Sequence, residues 1–125
     1  ASFPHPSEKQ RKFDYMNVKE LKEKLDLQYI CNEGLAETKD VTGCYCGDLL
    51  SWVMSRAEAD NVWLTVMGNV NSIGVAVLTD VACIILTENA PLDDNAKQKA
   101  DENGVIILTT DKNSYQIASE FSKLQ

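Results

Sequence analysis

The chain alternates short apolar runs with segments whose apolar positions recur at helical spacing. Val18, Leu21 and Leu25 share one face of a predicted helix in "VKELKEKL", with Asn17 as a candidate cap. Runs of Val, Ile and Leu predict buried strands. These strands are predicted in "LQYIC" (27–31), "VWLTVM" (62–67), "ACIILT" (82–87) and "VIILTT" (105–110).

Further helices are predicted between and after these strands. They are "GDLLSWVMSRA" (47–57), "VNSIGVAVLTDV" (70–81), "PLDDNAKQKADENG" (91–104) and "NSYQIASEFSKL" (113–124). The first is expected to be buried on most sides, the second to be capped by Asn71 or Ser72, and the third to start at Pro91 and stop at Gly104. Buried strands separated by helices are typical of a parallel sheet covered on both faces. The predicted fold class is therefore α/β, a single domain with a mainly parallel sheet flanked by helices on both faces.

The segment "KDVTGCYCGDLLSWVM" (39–54) sets two cysteines one residue apart between two glycines. We interpret it as a backbone turn that leads into a helix, with Gly43 and Gly47 supplying conformational freedom and Asp48 accepting from the first helical N–H groups. Zinc sites favour Cys-x2-Cys pairs, so a metal or redox role for Cys44 and Cys46 is the less favoured alternative. No metal site is predicted.

Length and charge narrow the class of protein. A chain of 125 residues suits one domain, and its net charge of -7 argues against nucleic acid as a partner. No apolar run approaches the roughly 20 residues of a membrane span. Residues 1–15 are expected to be a flexible tail or an expression remnant, with the domain at 16–125 and Met16 as a plausible natural start. The absence of a signal sequence predicts a cytoplasmic protein with free thiols. Cys83 is interpreted as a small buried hydrophobic residue.

The loops that follow the predicted parallel strands are rich in Thr, Asn, Ser and Asp. Such loops gather at one edge of a parallel sheet, together with helix N-termini that can meet an anion. The candidate ligand-binding residues are Thr65, Gly68, Asn69, Asn71, Thr87 and Thr110. The alternative is that these residues serve as helix caps and turns, and both roles can hold at once.

Catalytic motifs are missing from the sequence. There is no G-x-x-x-x-G-K-[ST] loop for a nucleotide phosphate, and Gly68 and Gly74 are spaced wrongly for a dinucleotide loop. The one histidine, His5, lies in the N-terminal segment and is a poor general base for a Ser or Cys nucleophile. We therefore predict no catalytic residue and no cofactor.

The motif "VTGCYCGDLLSWVM", followed by "VWLTVMGNVNSIGVAVLTDVACIILT" and "ADENGVIILTT", resembles the DRTGG domain family over roughly residues 17–124. Gly43, Tyr45, Gly47 and Asp48 match the family pattern in register, and Leu49, Leu50 and Ser51 continue it. The chain departs from the pattern at the two cysteines, where relatives more often carry small residues such as Gly and Ala. Similar domains occur in HPr kinase/phosphorylase, in some phosphotransacetylases and between CBS domains in regulated pyrophosphatases. The resemblance implies a regulatory or dimerising α/β unit.

Three functional hypotheses follow. The first is a non-catalytic regulatory and ligand-sensing module that forms a homodimer and binds a small anionic metabolite or nucleotide. The second is a protein-interaction partner in an anaerobic redox or signalling system, which uses an exposed apolar patch around Tyr45 and Trp52. The alternative interpretation, in which Trp52 is buried in the core and forms no exposed patch, is favoured. The third is an uncharacterised enzyme.

Overall fold

The computed structural model describes residues 15–125. Its elements in chain order are β1 (Met16–Asn17), α1 (Val18–Lys24), β2 (Gln28–Cys31), a 3-10 helix (Glu33–Thr38), β3 (Asp40–Val41), β4 (Gly43–Cys46), α2 (Leu50–Arg56), β5 (Asn61–Thr65), α3 (Val70–Thr79), β6 (Cys83–Leu86), α4 (Asp94–Asn103), β7 (Ile107–Thr109) and α5 (Ser114–Ser122). The predicted tail at 1–15 falls, apart from Tyr15, outside the described residues, as does His5. None of the helices within 15–125 has the length and apolar character needed to cross a membrane.

The main sheet has five strands in the order β2-β7-β6-β5-β4. Strands β4, β5, β6 and β7 are mutually parallel, and β2 joins the β7 edge in antiparallel orientation. Strands β1 and β3 form a separate antiparallel pair. The predicted α/β fold with a mainly parallel sheet is confirmed.

Each face of the sheet carries its own apolar core. On one face, Leu64 packs in a cluster with Leu21 of α1 and Phe121 of α5. On the other face, Trp63 packs in a cluster with Val53 of α2 and Ile73 of α3. Alternate residues of β5 thus point to opposite cores, as strand geometry requires. Burying each such side chain contributes about 1.5–3 kcal/mol, so both helical layers are held by the sheet.

The helix caps and helix ends agree with the sequence-based predictions at some positions and differ from them at others. Asn17 forms a capping box with Glu20 at the start of α1, as the predicted cap implies. Helix α3 is capped by Asn69 rather than by Asn71 or Ser72, because the Asn69 side chain accepts from both of those N–H groups. Helix α4 begins after Asp93, so Pro91 lies before the helix. Gly104 ends α4 with a φ of 68°, which confirms the predicted stop.

The prediction of a turn at the two cysteines is wrong, because residues 43–46 form strand β4 at the edge of the sheet. Within 15–125, Gly104 is the glycine with positive φ, so neither Gly43 nor Gly47 is used for a left-handed bend. A Cβ at Gly43 would lie 3.1 Å from Asn61 Nδ2, and a Cβ at Gly47 would lie 3.1 Å from the Tyr45 ring. These glycines therefore allow close packing rather than a turn.

The predicted roles of Asp48 and α2 also need correction. Helix α2 begins at Leu50 after Leu49, and no side chain caps it, so Asp48 does not bind the first helical N–H groups. Of the α2 residues, Val53 is the buried one. Trp52 is 54% exposed, with the Arg56 guanidinium 4.0 Å from its ring centroid. The helix is therefore exposed on most sides rather than buried, and Trp52 is not part of the core.

Candidate functional site

The carboxyl ends of the parallel strands bring three of the predicted site residues into a row. The Thr87 N–H donates to Thr65 O (3.1 Å), and the Thr110 N–H donates to Leu86 O (3.1 Å). The Asn89 N–H also donates to Thr110 O (2.9 Å). Thr65 thus ends β5, and Thr87 and Thr110 directly follow β6 and β7, so the three lie at one edge, where strand polarity predicts them.

The hydroxyl groups of this row already have partners inside the protein. Thr65 Oγ1 donates to Asp48 Oδ1 (2.7 Å), and Thr110 Oγ1 accepts from the Lys112 N–H (3.2 Å). Thr87 Oγ1 lies 3.4 Å from Ser114 Oγ. Because all three residues are buried, their hydroxyls stabilise the loops of this edge.

The remaining predicted residues have different roles. Gly68 lies against the loop before α4, where a Cβ would overlap the Pro91 carbonyl oxygen, and its own carbonyl accepts from the Asp93 N–H (2.8 Å). Asn69 caps α3, whereas Asn71 is exposed on that helix. Ser72 is fully buried, and its hydroxyl has no hydrogen-bond partner among the described residues. Gly68 and Asn69 therefore have the turn and cap roles that the sequence left open, and ligand binding by the predicted set stays a prediction.

Asp48 is a residue whose contacts could not be read from the sequence. Its Oδ1 accepts from Thr65 Oγ1 and from the Val66 N–H (3.0 Å), so it joins the loop after β4 to the loop after β5. The Trp63 indole Nε1 donates to Gly47 O (2.9 Å) beside it. These bonds give the motif residues Gly47 and Asp48 a structural role at the sheet edge.

A polar cleft of about 340 Å³ lies where β7 ends and β2 begins. Its lining residues are Asp26, Gln28, Asn89, Thr109, Thr110 and Asp111. Two carboxylates make this cleft unfavourable for a phosphate and suitable for hydroxyl or amine donors. Within residues 15–125, no group of three or more His, Cys, Asp or Glu side chains is placed to hold a metal ion.

An apolar groove of about 420 Å³ lies between α2 and α3 and was not predicted. The residues that line it are Leu50, Ser51, Met54, Val70, Asn71, Gly74, Val75, Leu78 and Lys99. Val70, Gly74 and Leu78 are spaced four residues apart and form one stripe along α3. Leu78 is 72% exposed and Met54 is 48% exposed. We call this feature the α2–α3 groove.

The sequence does contain a signal for this groove. Helix α3 has apolar residues on every face, and a helix of that kind is normally buried all round. Ile73 and Ala76 are buried against the sheet, while Leu78 faces away from it. The predicted apolar patch around Tyr45 and Trp52 is a different place, because neither residue lines the groove.

Comparison with known proteins identifies the domain type. A family model described as the DRTGG domain matches residues 20–124. No curated protein matches the chain. Among solved structures, the chain is similar to the CBS and DRTGG domains of the regulatory region of Clostridium perfringens pyrophosphatase, complexed with the activator diadenosine tetraphosphate. The TM-score is 0.66 at 11% identity, over 86% of this chain and 46% of that one.

This chain thus spans about half the length of that structure, and at this identity the likeness concerns the fold. The matched structure is described as part of the regulatory region of that pyrophosphatase. The family match covers most of the chain and includes the motif residues Gly43, Tyr45, Gly47 and Asp48. The chain belongs to the DRTGG domain family.

Proposed function

We propose that this domain is a non-catalytic regulatory module that forms a homodimer through the α2–α3 groove. The observation that carries the proposal is the exposed apolar groove itself, because a folded monomer gains nothing from leaving Leu78 and Met54 in water. Contiguous exposed apolar surface of this kind commonly marks an interaction site.

Gly74 gives independent support. A glycine inside a helix costs about 0.5–1 kcal/mol relative to alanine. A Cβ at Gly74 would meet no heavy atom within 4 Å, so packing inside this domain does not require a glycine there. Close approach of another surface to the floor of the groove does provide a reason for it.

A second copy of the chain suits this groove. Leu78 continues the Gly74 stripe along α3 and Met54 lies across the groove on α2, so a two-fold arrangement can place the exposed Leu78 of each copy in the groove of the other. The net charge of -7 makes two copies repel each other over most of their surface. Of the described residues that line the groove, none is acidic and Lys99 is basic, so this repulsion is not concentrated at the groove.

Light scattering coupled to size exclusion tests the dimer. We expect a dimer for the unaltered chain and a monomer for Leu78→Asp, since a carboxylate in a dry interface is unpaired. Tyr115→Asp is the matched control, because Tyr115 is 81% exposed on α5 and does not line the groove. A chain that is monomeric at every concentration contradicts the homodimer and favours a different protein partner.

Ligand sensing is the second candidate function, and the cleft beside Thr110 supports it. The matched pyrophosphatase region is complexed with a nucleotide activator, so we propose a nucleotide as the signal for this domain, since the two carboxylates of the cleft disfavour a small anionic metabolite there. Asp26 and Asp111 suit ribose hydroxyl groups, so the phosphates of a nucleotide are expected to lie outside the cleft, toward the edge formed by Thr65 and Thr87.

Thermal-shift measurements with adenosine, ATP, diadenosine tetraphosphate and acetyl phosphate test the ligand. We expect the nucleotides to raise the melting temperature and Asp111→Asn to reduce that shift. Asp60→Asn is a matched control, because Asp60 follows α2 and does not line the cleft. No shift with any of the four compounds would leave assembly as the proposed function.

A further inference from the structure

Cys44 and Cys46 lie on the same face of the edge strand β4, because side chains two residues apart in a strand point the same way. Cys44 packs against the core that contains Leu64, while Cys46 is the last residue of the strand and is exposed. The other two cysteines, Cys31 and Cys83, are buried. Cys46 is therefore the accessible thiol of the pair, and the half-buried Cys44 is its neighbour on the same face of the strand.

The two thiols of the pair also differ in acidity. Interaction with the Cys46 side chain raises the pKa of Cys44, and interaction with the Cys44 thiol lowers the pKa of Cys46 to about 7, although burial and Asp48 oppose the second shift. Burial raises the pKa of Cys31 to about 11 and that of Cys83 to about 12. A thiolate is the reactive form of cysteine, so exposure and acidity both favour Cys46 as the attacking thiol among the four cysteines.

We propose that Cys46 and Cys44 form a thiol–disulfide exchange pair, with Cys46 as the attacking thiol and Cys44 as the resolving thiol. The Cys46 thiolate attacks one sulfur of a small-molecule disulfide, forms a mixed disulfide and releases one thiolate. Cys44 then loses its proton and attacks the Cys46 sulfur, and the second small thiol leaves. The protein loses two electrons to the small disulfide, which is reduced to two thiols.

Strand geometry indicates that the resulting disulfide is strained. Residues two apart in a parallel strand have Cα atoms about 6.6 Å apart, near the upper limit of about 6.8 Å for a disulfide. Ring closure must therefore draw the end of β4 inward. Among the described residues β4 pairs with β5 alone, so its last residue has few bonds that resist this movement. A strained, exposed disulfide is readily reduced, which suits a reversible signal.

The inward movement of Cys46 would be transmitted to β5 through the hydrogen bonds of the next residue, Gly47. Gly47 follows Cys46, and its N–H donates to Leu64 O (3.2 Å) while its carbonyl accepts from Trp63 Nε1 (2.9 Å). Drawing Cys46 toward Cys44 pulls on both bonds. Trp63 is fully buried, so its fluorescence reports closure of the disulfide.

Intact mass spectrometry of the folded chain with oxidised glutathione tests the pair. We expect the unaltered chain to lose the mass of two hydrogen atoms, with peptide mapping placing the bond between Cys44 and Cys46. Cys44→Ser is expected to stop as a glutathione adduct on Cys46, and Cys46→Ser to remain unmodified. Cys44→Ala provides a second resolving-thiol variant that preserves the apolar packing at this position.

The other outcomes overturn the proposal. They are a stable glutathione adduct on the unaltered chain, a disulfide between Cys46 residues of two copies, or no reaction of the folded chain. The proposal does not depend on the dimer, because neither cysteine lines the α2–α3 groove. A chain that fails to dimerise therefore still tests the thiol pair.

Discussion

Replacing Gly74 with alanine separates the stability of the fold from its assembly. The added Cβ meets no heavy atom within 4 Å, so the substitution brings only the helix-propensity gain in the isolated domain. That gain is about 0.5–1 kcal/mol in the free energy of unfolding. Since unfolding entropy is about 2.1 cal/mol/K per residue, the melting temperature of the monomer should rise by about 2–4 °C.

The same methyl group is expected to weaken the dimer. In a two-fold arrangement each copy places its methyl on the floor of the groove that the other copy fills. Overpacking a close contact costs about 1–3 kcal/mol, and about 1.4 kcal/mol corresponds to a tenfold change in affinity. We therefore expect the dissociation constant to rise about tenfold or more.

The assay combines urea unfolding at low protein concentration with sedimentation velocity over a concentration series. Gly34→Ala is the matched control, because a Cβ there also meets nothing within 4 Å and Gly34 lies in the 3-10 helix, outside the groove. This control should keep the affinity of the dimer unchanged. An equal dissociation constant for Gly74→Ala and the unaltered chain would refute the role of the groove floor.

Three further predictions concern the sheet edge and the thiols. Gly68→Ala should destabilise the fold by about 1–3 kcal/mol or more in urea unfolding, because its Cβ would overlap the Pro91 carbonyl oxygen; an unchanged midpoint would contradict this close approach. Asp48→Ala should cost about 2 kcal/mol through loss of the bonds from Thr65 and Val66, whereas Asp48→Asn keeps an acceptor oxygen and should cost less; equal losses would show that charge rather than acceptance matters. Alkylation of Cys46 by iodoacetamide should rise through about pH 7. Removing the thiol at position 44 by alanine substitution should move that midpoint upward, because burial and the Asp48 carboxylate both raise the pKa of Cys46 and then act unopposed; an unmoved midpoint would argue against an effect of the Cys44 thiol on Cys46.

The buried strands were predictable because each one is a continuous run of apolar residues in the sequence. The apolar runs at 62–67, 82–87 and 105–110 correspond to β5, β6 and β7 within two residues at each end. Strand polarity alone then placed Thr65 and Thr87 at neighbouring strand ends. These features follow from side-chain type and from the regular geometry of a parallel sheet.

Other features depend on partners that are distant in sequence. The segment "GCYC" has glycine and no β-branched residue, and it becomes a strand because Tyr45 pairs with Trp63 on β5. Asp48 follows the local rule for a helix cap, yet the N–H of Val66 is the one it binds. The exposure of α2 was missed because apolar periodicity indicates burial without saying whether the covering surface belongs to the same chain.

The pairing of β2 with β7 has a consequence for the order in which the domain is made. Gln28 pairs with Thr109, so β2, the first strand of the main sheet, can form its hydrogen bonds only after β7, the last strand, has been synthesised. During synthesis, Tyr29 and its strand leave the ribosome long before their partner exists. Closing such a long loop is slow, and folding of the whole sheet is therefore expected to finish only after β7 has emerged.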